Sequence, residues 1–312
     1  MRAHVKTDQM RVAVLVWVAG VGLIGSASRS LAKPLYVLSD IRLYPGRLAV
    51  YDIAGPGDLA LQGEYTIPQH GLGAVGIAID SRRHTLFLTY EDYSWVRVID
   101  AQTMESVGFA IVDGAENLAG IVYDHDKKRL YCADRFKEGL YAFEWDALAF
   151  QARPIEGSPF TLAGSRSLGI ALDEINDLLY VTNASPEIRV YRTSDWSLST
   201  TLTLGHPAVS IAVDAQRQVL YTGAGYKGDK DLVRYDLASG VESSVEVDPN
   251  AGVIGVAVDD ESGLVYVTTG LDNEFGGDDL KVYSPLLEVV QSLHLGGNPT
   301  GLTIPLTGEL PR

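Results

Sequence analysis

The sequence predicts an all-β fold, a closed ring of six sheets with four antiparallel strands each. Three observations support this prediction. A short glycine-led segment recurs at a fixed distance from a second apolar run, two further strand-like runs follow each pair, and the two chain ends hold complementary parts of one more unit. Self-similarity at a fixed period is typical of repeat architectures.

The recurring segment defines the repeat. It reads GIALD at 169–173, and Leu179 lies ten residues after its glycine. Four other copies keep this spacing, and in every copy an Asp stands six residues before the counterpart of Leu179: GIAID at 76–80, GIVYD at 120–124, SIAVD at 210–214 and GVAVD at 255–259. A constant spacing of this kind predicts two neighbouring strands joined by the same tight turn.

The third and fourth runs complete each unit. Third runs are WVRVID at 95–100, LYAFEW at 140–145, IRVYR at 188–192, LVRYD at 232–236 and LKVYS at 280–284, and a typical fourth run is SLSTTLTL at 197–204. The units are 41 to 49 residues long. Four short strands in a unit of this length predict a blade of a β-propeller.

The chain ends predict how the ring closes. GLTI at 301–304 is a sixth first strand without a second strand after it, whereas LYVLSD at 35–40 and LAVYD at 48–52 look like second and third strands without a first. One blade shared by the N- and C-terminal strands gives six blades. It also pairs sheet edges that an open array would expose.

The recurrent Asp at positions 80, 124, 173, 214 and 259 has a structural and a catalytic interpretation. Its side chain can accept hydrogen bonds from the amides of the turn between the first and second strands. A catalytic site needs one copy of a residue, while a turn needs all of them. We therefore predict a structural role.

One repeat carries a known signature. Tyr180-Val181-Thr182-Asn183 resembles the YVTN β-propeller repeats, and the other copies read LFLTY, LYCAD, LYTGA and VYVTT. The resemblance covers roughly residues 34–304. It implies a propeller of an exported or surface protein, and many members of that family have no known activity.

The N-terminus reads as a targeting segment. Arg2, Lys6 and Arg11 precede an apolar run of thirteen residues from Val12 to Ile24, which is short for a membrane span and suits a secretory signal. We predict a signal peptide at 1–32 and a single propeller domain at 33–312, without a transmembrane helix in the mature chain. An uncleaved anchor is the alternative. Export to the periplasm or the extracellular space is expected.

Charge and cysteine content restrict the partners. Removal of residues 1–32 would change the formal charge from −15 to −18, which argues against nucleic acid as a partner. Cys132 is the single cysteine, so no intrachain disulfide exists, and we expect it to be a small apolar residue in a strand. A monomer without a cofactor is expected.

Polar residues before the inner strands are candidates for catalysis or metal binding. His70, Glu116 and His206 could act as acid, base or transition-metal ligands at the funnel mouth. Against this, His70 and His206 fall in opposite blades. His70 also lies two residues after Pro68 and His206 adjoins Pro207, a context in which turn roles are common. Four acids in the loop at 268–280 could bind calcium, or the loop could simply be solvated: Asp272, Glu274, Asp278 and Asp279.

Three functions remain open from the sequence. The leading hypothesis is a non-enzymatic binding or interaction scaffold that takes a protein or a small molecule at the loop rim and central funnel. The alternative is an enzyme, since some propeller lyases and lactonases carry a polar or metal-assisted site in this region. A calcium-stabilised surface-layer protein is the third. No GxSxG, HExxH, P-loop or dinucleotide fingerprint occurs in the sequence.

Overall fold

The computed structural model describes residues 33–39, 46–55, 57–67, 73–137, 139–146, 151–162, 167–225, 231–249, 251–270, 277 and 279–307. These residues form strands and one 3₁₀ turn at Ser81–Arg83, with no α-helix among them. The signal peptide predicted at 1–32 lies outside this part of the chain and stays a prediction. Nor does the described part include a helix with the length and apolar character to cross a bilayer.

The strands follow one another in chain order. They are β1 (Lys33–Ser39), β2 (Gly46–Gly55), β3 (Asp58–Ile67), β4 (Ala74–Asp80), β5 (Thr85–Tyr90), β6 (Trp95–Asp100), β7 (Ser106–Ile111), β8 (Leu118–Asp124), β9 (Arg129–Asp134), β10 (Gly139–Asp146), β11 (Gln151–Pro154), β12 (Phe160–Thr161), β13 (Ile170–Asp173), β14 (Leu178–Val181), β15 (Ser185–Arg192), β16 (Leu198–Ala208), β17 (Ser210–Asp214), β18 (Val219–Gly223), β19 (Asp231–Asp236), β20 (Glu242–Glu246), β21 (Gly252–Val258), β22 (Val265–Gly270), β23 (Asp279–Tyr283), β24 (Val289–His294) and β25 (Leu302–Thr303).

The strands form six antiparallel sheets, each of which is one blade. Blade 1 runs β25-β1-β2-β3 from the inside outwards, blade 2 β4 to β7, blade 3 β8 to β12, blade 4 β13 to β16, blade 5 β17 to β20 and blade 6 β21 to β24. The prediction of a six-bladed, all-β propeller is confirmed.

Blade 1 closes the ring with both ends of the chain, as predicted. Tyr36 of β1 pairs with Thr303 of β25, and Val37 pairs with Leu302. The ladder extends one step further, because the Leu38 amide donates to the Gly301 carbonyl at 2.8 Å. An edge strand without this partner would expose its backbone donors and acceptors.

Six separate hydrophobic clusters fill the six interfaces between neighbouring blades. Successive side chains of a strand point to opposite faces of the sheet, so one blade packs against both of its neighbours. In β1, Leu35 and Val37 pack in the cluster shared with blade 6, whereas Tyr36 and Leu38 pack in the cluster shared with blade 2. Hydrophobic packing therefore links every blade to both of its neighbours, and no blade can bury its faces alone.

Glycines let the inner strands approach one another. A Cβ on Gly120 would lie 2.6 Å from the carbonyl oxygen of Leu168 in blade 4, and one on Gly301 would lie 2.6 Å from that of Val75 in blade 2. The equivalent glycines of blades 2, 4 and 6 face the next blade in the same way: Gly76, Gly169 and Gly255. Close backbone packing thus explains the glycine that opens the repeat.

The recurrent Asp has the predicted turn role in all five copies. Its carboxylate accepts a hydrogen bond from the amide three residues later, as in Asp173 with Asn176 at 2.9 Å and Asp214 with Arg217 at 2.9 Å. The same bond occurs at Asp80, Asp124 and Asp259. Cys132 likewise meets its expectation, because it is a buried residue of β9 with a free thiol.

Blade 3 departs from the four-strand pattern. Its outer position is divided into β11 and β12, which pair with opposite ends of β10. Strand β11 ends at Pro154, and β12 begins directly after Pro159. Proline cannot donate a ladder hydrogen bond, so these two residues delimit the interruption.

Candidate functional site

The inner strands surround a central channel with a volume of about 460 Å³. Each blade contributes three consecutive residues to its wall, which form three rings around the axis. The first ring is Val75, Ala119, Leu168, Val209, Ile254 and Thr300; the second is Gly76, Gly120, Gly169, Ser210, Gly255 and Gly301; the third is Ile77, Ile121, Ile170, Ile211, Val256 and Leu302. The side chains of the first and third rings are therefore apolar apart from Thr300, whereas the second ring presents glycine backbone and Ser210.

Five further residues break the symmetry of the channel, and all belong to blades 2 and 3. Glu91 and Asp92 follow β5, Arg135 and Phe136 follow β9, and Asn117 precedes β8. Loops after second strands and before first strands share one end of the ring. These five residues, called the mouth cluster below, thus make one sector of one channel opening polar.

Hydrogen bonds and charge pairing order the mouth cluster. The Asn117 amide nitrogen Nδ2 donates to Asp92 Oδ1 at 3.1 Å, and Arg135 Nη1 forms an ion pair with Glu91 Oε1. Phe136 leaves 54% of its surface exposed beside them. The sector thus carries charged groups and an exposed aromatic ring at the channel opening.

Asp134 fixes the backbone of this sector. Its side chain is fully buried at the end of β9. Its Oδ2 accepts hydrogen bonds from the Glu116 amide at 2.7 Å and the Asn117 amide at 3.3 Å. Its Oδ1 accepts from the Phe136 amide at 2.8 Å and the Lys137 amide at 3.0 Å. One carboxylate therefore holds both blade 3 segments of the mouth cluster in place.

Asn117 carries an acceptor that the described residues leave without a donor. The residue is 1% exposed, and its Oδ1 accepts no hydrogen bond from them. The side-chain orientation is fixed because Asp92 is an acceptor and must face the Nδ2 donor. Buried polar atoms normally have a partner. The Asn117 oxygen is an exception among the described residues, and so is the hydroxyl of Ser210 in the second ring of the channel.

Two of the three residues that the sequence suggested for catalysis, Glu116 and His206, are not part of the described channel lining. Glu116 is bound to Lys137, with 2.9 Å between Oε1 and Nζ, and this carboxylate raises the pKa of Lys137. His206 belongs to β16, and its Nε2 lies 3.7 Å from Glu242 Oε1. Among the described residues that line the channel, neither of the two appears. His70 lies outside the described residues, so their shared site stays a prediction.

The calcium candidates are only partly described. Asp279 opens β23, where its Oδ1 lies 3.0 Å from His294 Nδ1 and its Oδ2 3.7 Å from Lys281 Nζ. Asp272, Glu274 and Asp278 lie outside the described residues. In the part of the chain that is described, no three His, Cys, Asp or Glu side chains are grouped as metal ligands.

Sequence reasoning did not select the mouth cluster, although one signal was present. One repeat position, fifteen residues after the first residue of each repeat, differs between the blades. It is Glu91 in blade 2 and Arg135 in blade 3, whereas blades 4 to 6 have a small residue there: Ala184, Gly225 and Gly270. The charged side chains thus appear at one repeat position in two adjacent blades. A departure from the repeat at one position indicates a role that the scaffold alone does not require.

Comparisons with known proteins support the architecture. No family model and no curated protein matches the sequence. A chain in the crystal structure of a nidogen/laminin complex is similar, with a TM-score of 0.70 at 14% identity, over 88% of this chain and 99% of that one. A protein of unknown function from Bacteroides caccae has a TM-score of 0.64 at 12% identity, over 88% and 98%. At these identities the likeness shows the fold, a six-bladed β-propeller.

Proposed function

We propose that this protein is an exported, non-enzymatic binding scaffold that holds a small-molecule ligand in its central channel. The channel itself carries the proposal. Its volume of about 460 Å³ falls within the range of about 300–1,000 Å³ that is usual for ligand pockets. An apolar wall with a few polar groups at one end is also the usual composition of such pockets.

The rigidity of the ring supports a preformed site. Every blade is packed on both faces, and carbonyl groups of one inner strand contact glycines of the next. A site that is already ordered before binding loses less conformational entropy when the ligand enters. The loops around the channel are the natural place for recognition, since loops carry function on a rigid scaffold.

A protein partner at the same rim is compatible with this role. The nidogen/laminin structure contains a chain of similar fold in a complex with another protein. The formal charge of −15 disfavours nucleic acid as a partner. Export and membership of the YVTN-repeat family belong to the proposal. They are supported by the apolar run at 12–24 and by Tyr180-Val181-Thr182-Asn183.

Calorimetric titration with the neutral probe 1-hexanol tests whether the channel binds apolar ligands. We expect saturable binding that is lost in Ala119→Phe, because the larger side chain fills the first ring of the channel wall. Ala60→Phe is the matched control, since Ala60 is exposed on the outer strand β3. Equal binding by both variants would place the ligand outside the channel and contradict the proposal.

Two further measurements test the export of the protein and its proposed lack of enzymatic activity. N-terminal sequencing of the protein from an extracytoplasmic fraction should show a chain that starts close to residue 33; a full-length chain in the cytoplasm would contradict export. Turnover of lactones by the native protein, with loss of activity in Glu116→Gln and His206→Gln, would favour the enzyme hypothesis over the scaffold.

A further inference from the structure

The outer strand β7 of blade 2 has a free edge and an exposed apolar row, which together define a docking surface. We propose that the free edge of β7 binds an extended segment of a partner protein that carries apolar side chains at every second position and a basic side chain at each end. This surface lies on the outside of the ring, so the inference is independent of any ligand in the central channel.

The composition of β7 distinguishes it from the other outer strands. Its sequence SVGFAI contains no charged residue, histidine or proline. Every other described outer strand of four residues or more contains at least one such residue: β3, β11, β16, β20 and β24. Charged side chains and prolines are among the features that protect a sheet edge from pairing with another chain. Strand β7 lacks this protection.

Three apolar side chains of β7 lie on one exposed face. Val107, Phe109 and Ile111 alternate along the strand and are 42%, 43% and 68% exposed. Alternate residues of a strand point to the same face of the sheet, so these side chains form one row. The opposite face is packed, because Ala110 is fully buried in the cluster between blades 2 and 3. The row is therefore held in place with its apolar surface in water.

The backbone of the same strand offers hydrogen-bonding groups at its free edge. The Val112 N–H, directly after β7, donates to the Ser94 carbonyl at 2.8 Å. Bonded and non-bonded residues alternate along an antiparallel ladder, so Ala110 bonds to β6, whereas the N–H and C=O groups of Phe109 and Ile111 point away from it. A partner strand can pair with these groups, which is the β-augmentation mode of peptide recognition.

The central side chain of the row is ordered before any partner binds. The Cζ atom of Arg97 lies 4.6 Å from the centre of the Phe109 ring, and the Trp95 ring meets the Phe109 ring at 79° with 4.8 Å between the centres. An ordered side chain loses less conformational entropy on binding. The positive charge of Arg97 also lies beside the middle of the row. An apolar residue therefore suits the middle of the partner segment better than a basic one.

Exposed acids lie at both ends of the row. Glu105 stands one residue before β7 and Asp113 two residues after it, and both are exposed. Neither carboxylate forms an ion pair with a described residue. A lysine or arginine at each end of the partner segment is therefore attracted. The formal charge of −15 acts in the same direction, since it favours the approach of a basic partner.

The same acids disfavour a second copy of this chain as the occupant. A two-fold axis at Phe109 would pair two β7 strands with Val107 opposite Ile111, which suits the apolar row. It would also bring Glu105 of each copy towards Asp113 of the other. Like charges opposite each other in a sheet are destabilising. A segment with basic ends thus matches both the row and the acids, whereas a second copy matches the row alone.

Fluorescence anisotropy with two peptides tests the proposed chemistry of the partner. The peptide KTVTVTVTK places valines at every second position and reads the same in both directions, so it fits either strand orientation. The peptide ETVTVTVTE differs in its end charges alone. Both are labelled at the N-terminus and amidated at the C-terminus. We expect KTVTVTVTK to bind saturably and about tenfold more tightly than ETVTVTVTE. Equal affinities of the two peptides would overturn the inference.

A charge exchange locates the peptide on the molecule. The double variant Glu105→Lys with Asp113→Lys should reverse the preference, so that ETVTVTVTE binds more tightly. The matched control is Asp58→Lys with Asp126→Lys, which makes the same change of net charge at exposed positions outside β7 and should keep the native preference. A double variant of Glu105 and Asp113 that still prefers KTVTVTVTK would place the peptide elsewhere and contradict the proposal.

Two proline substitutions test the backbone pairing. Ile111→Pro removes an N–H that faces the free edge and an exposed apolar side chain, while the hydrogen bonds to β6 remain. The affinity for KTVTVTVTK should fall at least tenfold, whereas Ile111→Val should bind as the native protein does. The peptide KTVTPTVTK tests the same ladder without any change to the protein, and its affinity should fall equally. Native affinity for KTVTPTVTK would show that no strand pairing occurs.

Sedimentation velocity separates the two possible occupants of the edge. The native protein should sediment as a monomer. A dimer that Ile111→Pro dissociates would show that a second copy occupies β7 and would overturn the choice of a basic segment. The titration with 1-hexanol does not depend on β7, so a failure of peptide binding would leave the proposed function of the channel intact.

Discussion

Lys33 connects the first strand to the last complete blade, and its loss tests ring closure. Its Nζ lies 2.5 Å from Asp259 Oδ1, 2.5 Å from Asp260 Oδ1 and 2.9 Å from Thr307 Oγ1. The side chains of Lys33, Asp259 and Asp260 are only 8%, 6% and 15% exposed. Lys33→Met keeps much of the aliphatic volume and removes the charge, which leaves two acids without their shared cation.

The size of the effect follows from what remains bonded. Breaking a buried ion pair by removing one partner costs about 3–5 kcal/mol. Asp259 keeps two hydrogen bonds from Ser262, and Asp260 keeps the Thr307 amide, so we expect the lower end of the range. The free energy of unfolding should therefore fall by about 3 kcal/mol.

Urea unfolding followed by tryptophan fluorescence measures this change. Lys128→Met serves as the control because Lys128 is exposed, and it should change the free energy of unfolding by less than about 0.5 kcal/mol. A double-mutant cycle with Asp259→Asn should then show a coupling energy above about 1 kcal/mol. A Lys33→Met variant as stable as the control would refute the role of Lys33 as a stabilising link between β1 and blade 6.

The remaining predictions concern pH, packing and the thiol. Burial favours the neutral form of Asp259, but hydrogen bonds from Lys33 and Ser262 and the Lys33 charge lower its pKa below 3.8. The folded state thus binds fewer protons than the unfolded state, and the free energy of unfolding falls as the pH drops below about 5. This fall should be less steep in Lys33→Met. Urea denaturation of both proteins between pH 7 and 3 checks this, and an equal dependence of their unfolding free energies on pH would contradict it. Gly255→Ala should cost about 1–3 kcal/mol in the free energy of unfolding, because the new Cβ meets the Thr300 carbonyl and Leu302 Cδ2, whereas Gly55→Ala meets nothing within 4 Å and should cost little. Cys132 should resist thiol reagents at neutral pH until the protein unfolds, because burial raises its pKa; rapid labelling of the native protein would show that the strand opens.

The regular part of the fold was predictable because each repeat solves the same packing problem. The inner glycine contacts a carbonyl of the next blade, and the Asp binds the same turn amide in every copy. Such requirements place the same residue type at the same spacing in each repeat, so the pattern can be recognised within one sequence. The divided outer edge of blade 3 was not predicted, since it depends on where Pro154 and Pro159 interrupt one ladder.

The candidate site was less predictable because it depends on contacts between different repeats. Asp92 and Asn117 meet although they are 25 residues apart, and Asp134 reaches back 18 residues to the Glu116 amide. No spacing rule reveals such pairs. The choice of Glu116 and His206 from their positions before inner strands did not take account of Lys137 and Glu242, which lie beside them in the fold.

A crystal structure of the protein with 1-hexanol tests the central claim most directly, because it shows where the ligand lies. We expect the alkyl chain between the inner strands, against the first ring of the channel wall around Ala119. An alkyl chain bound only on the outer strands would contradict the proposal.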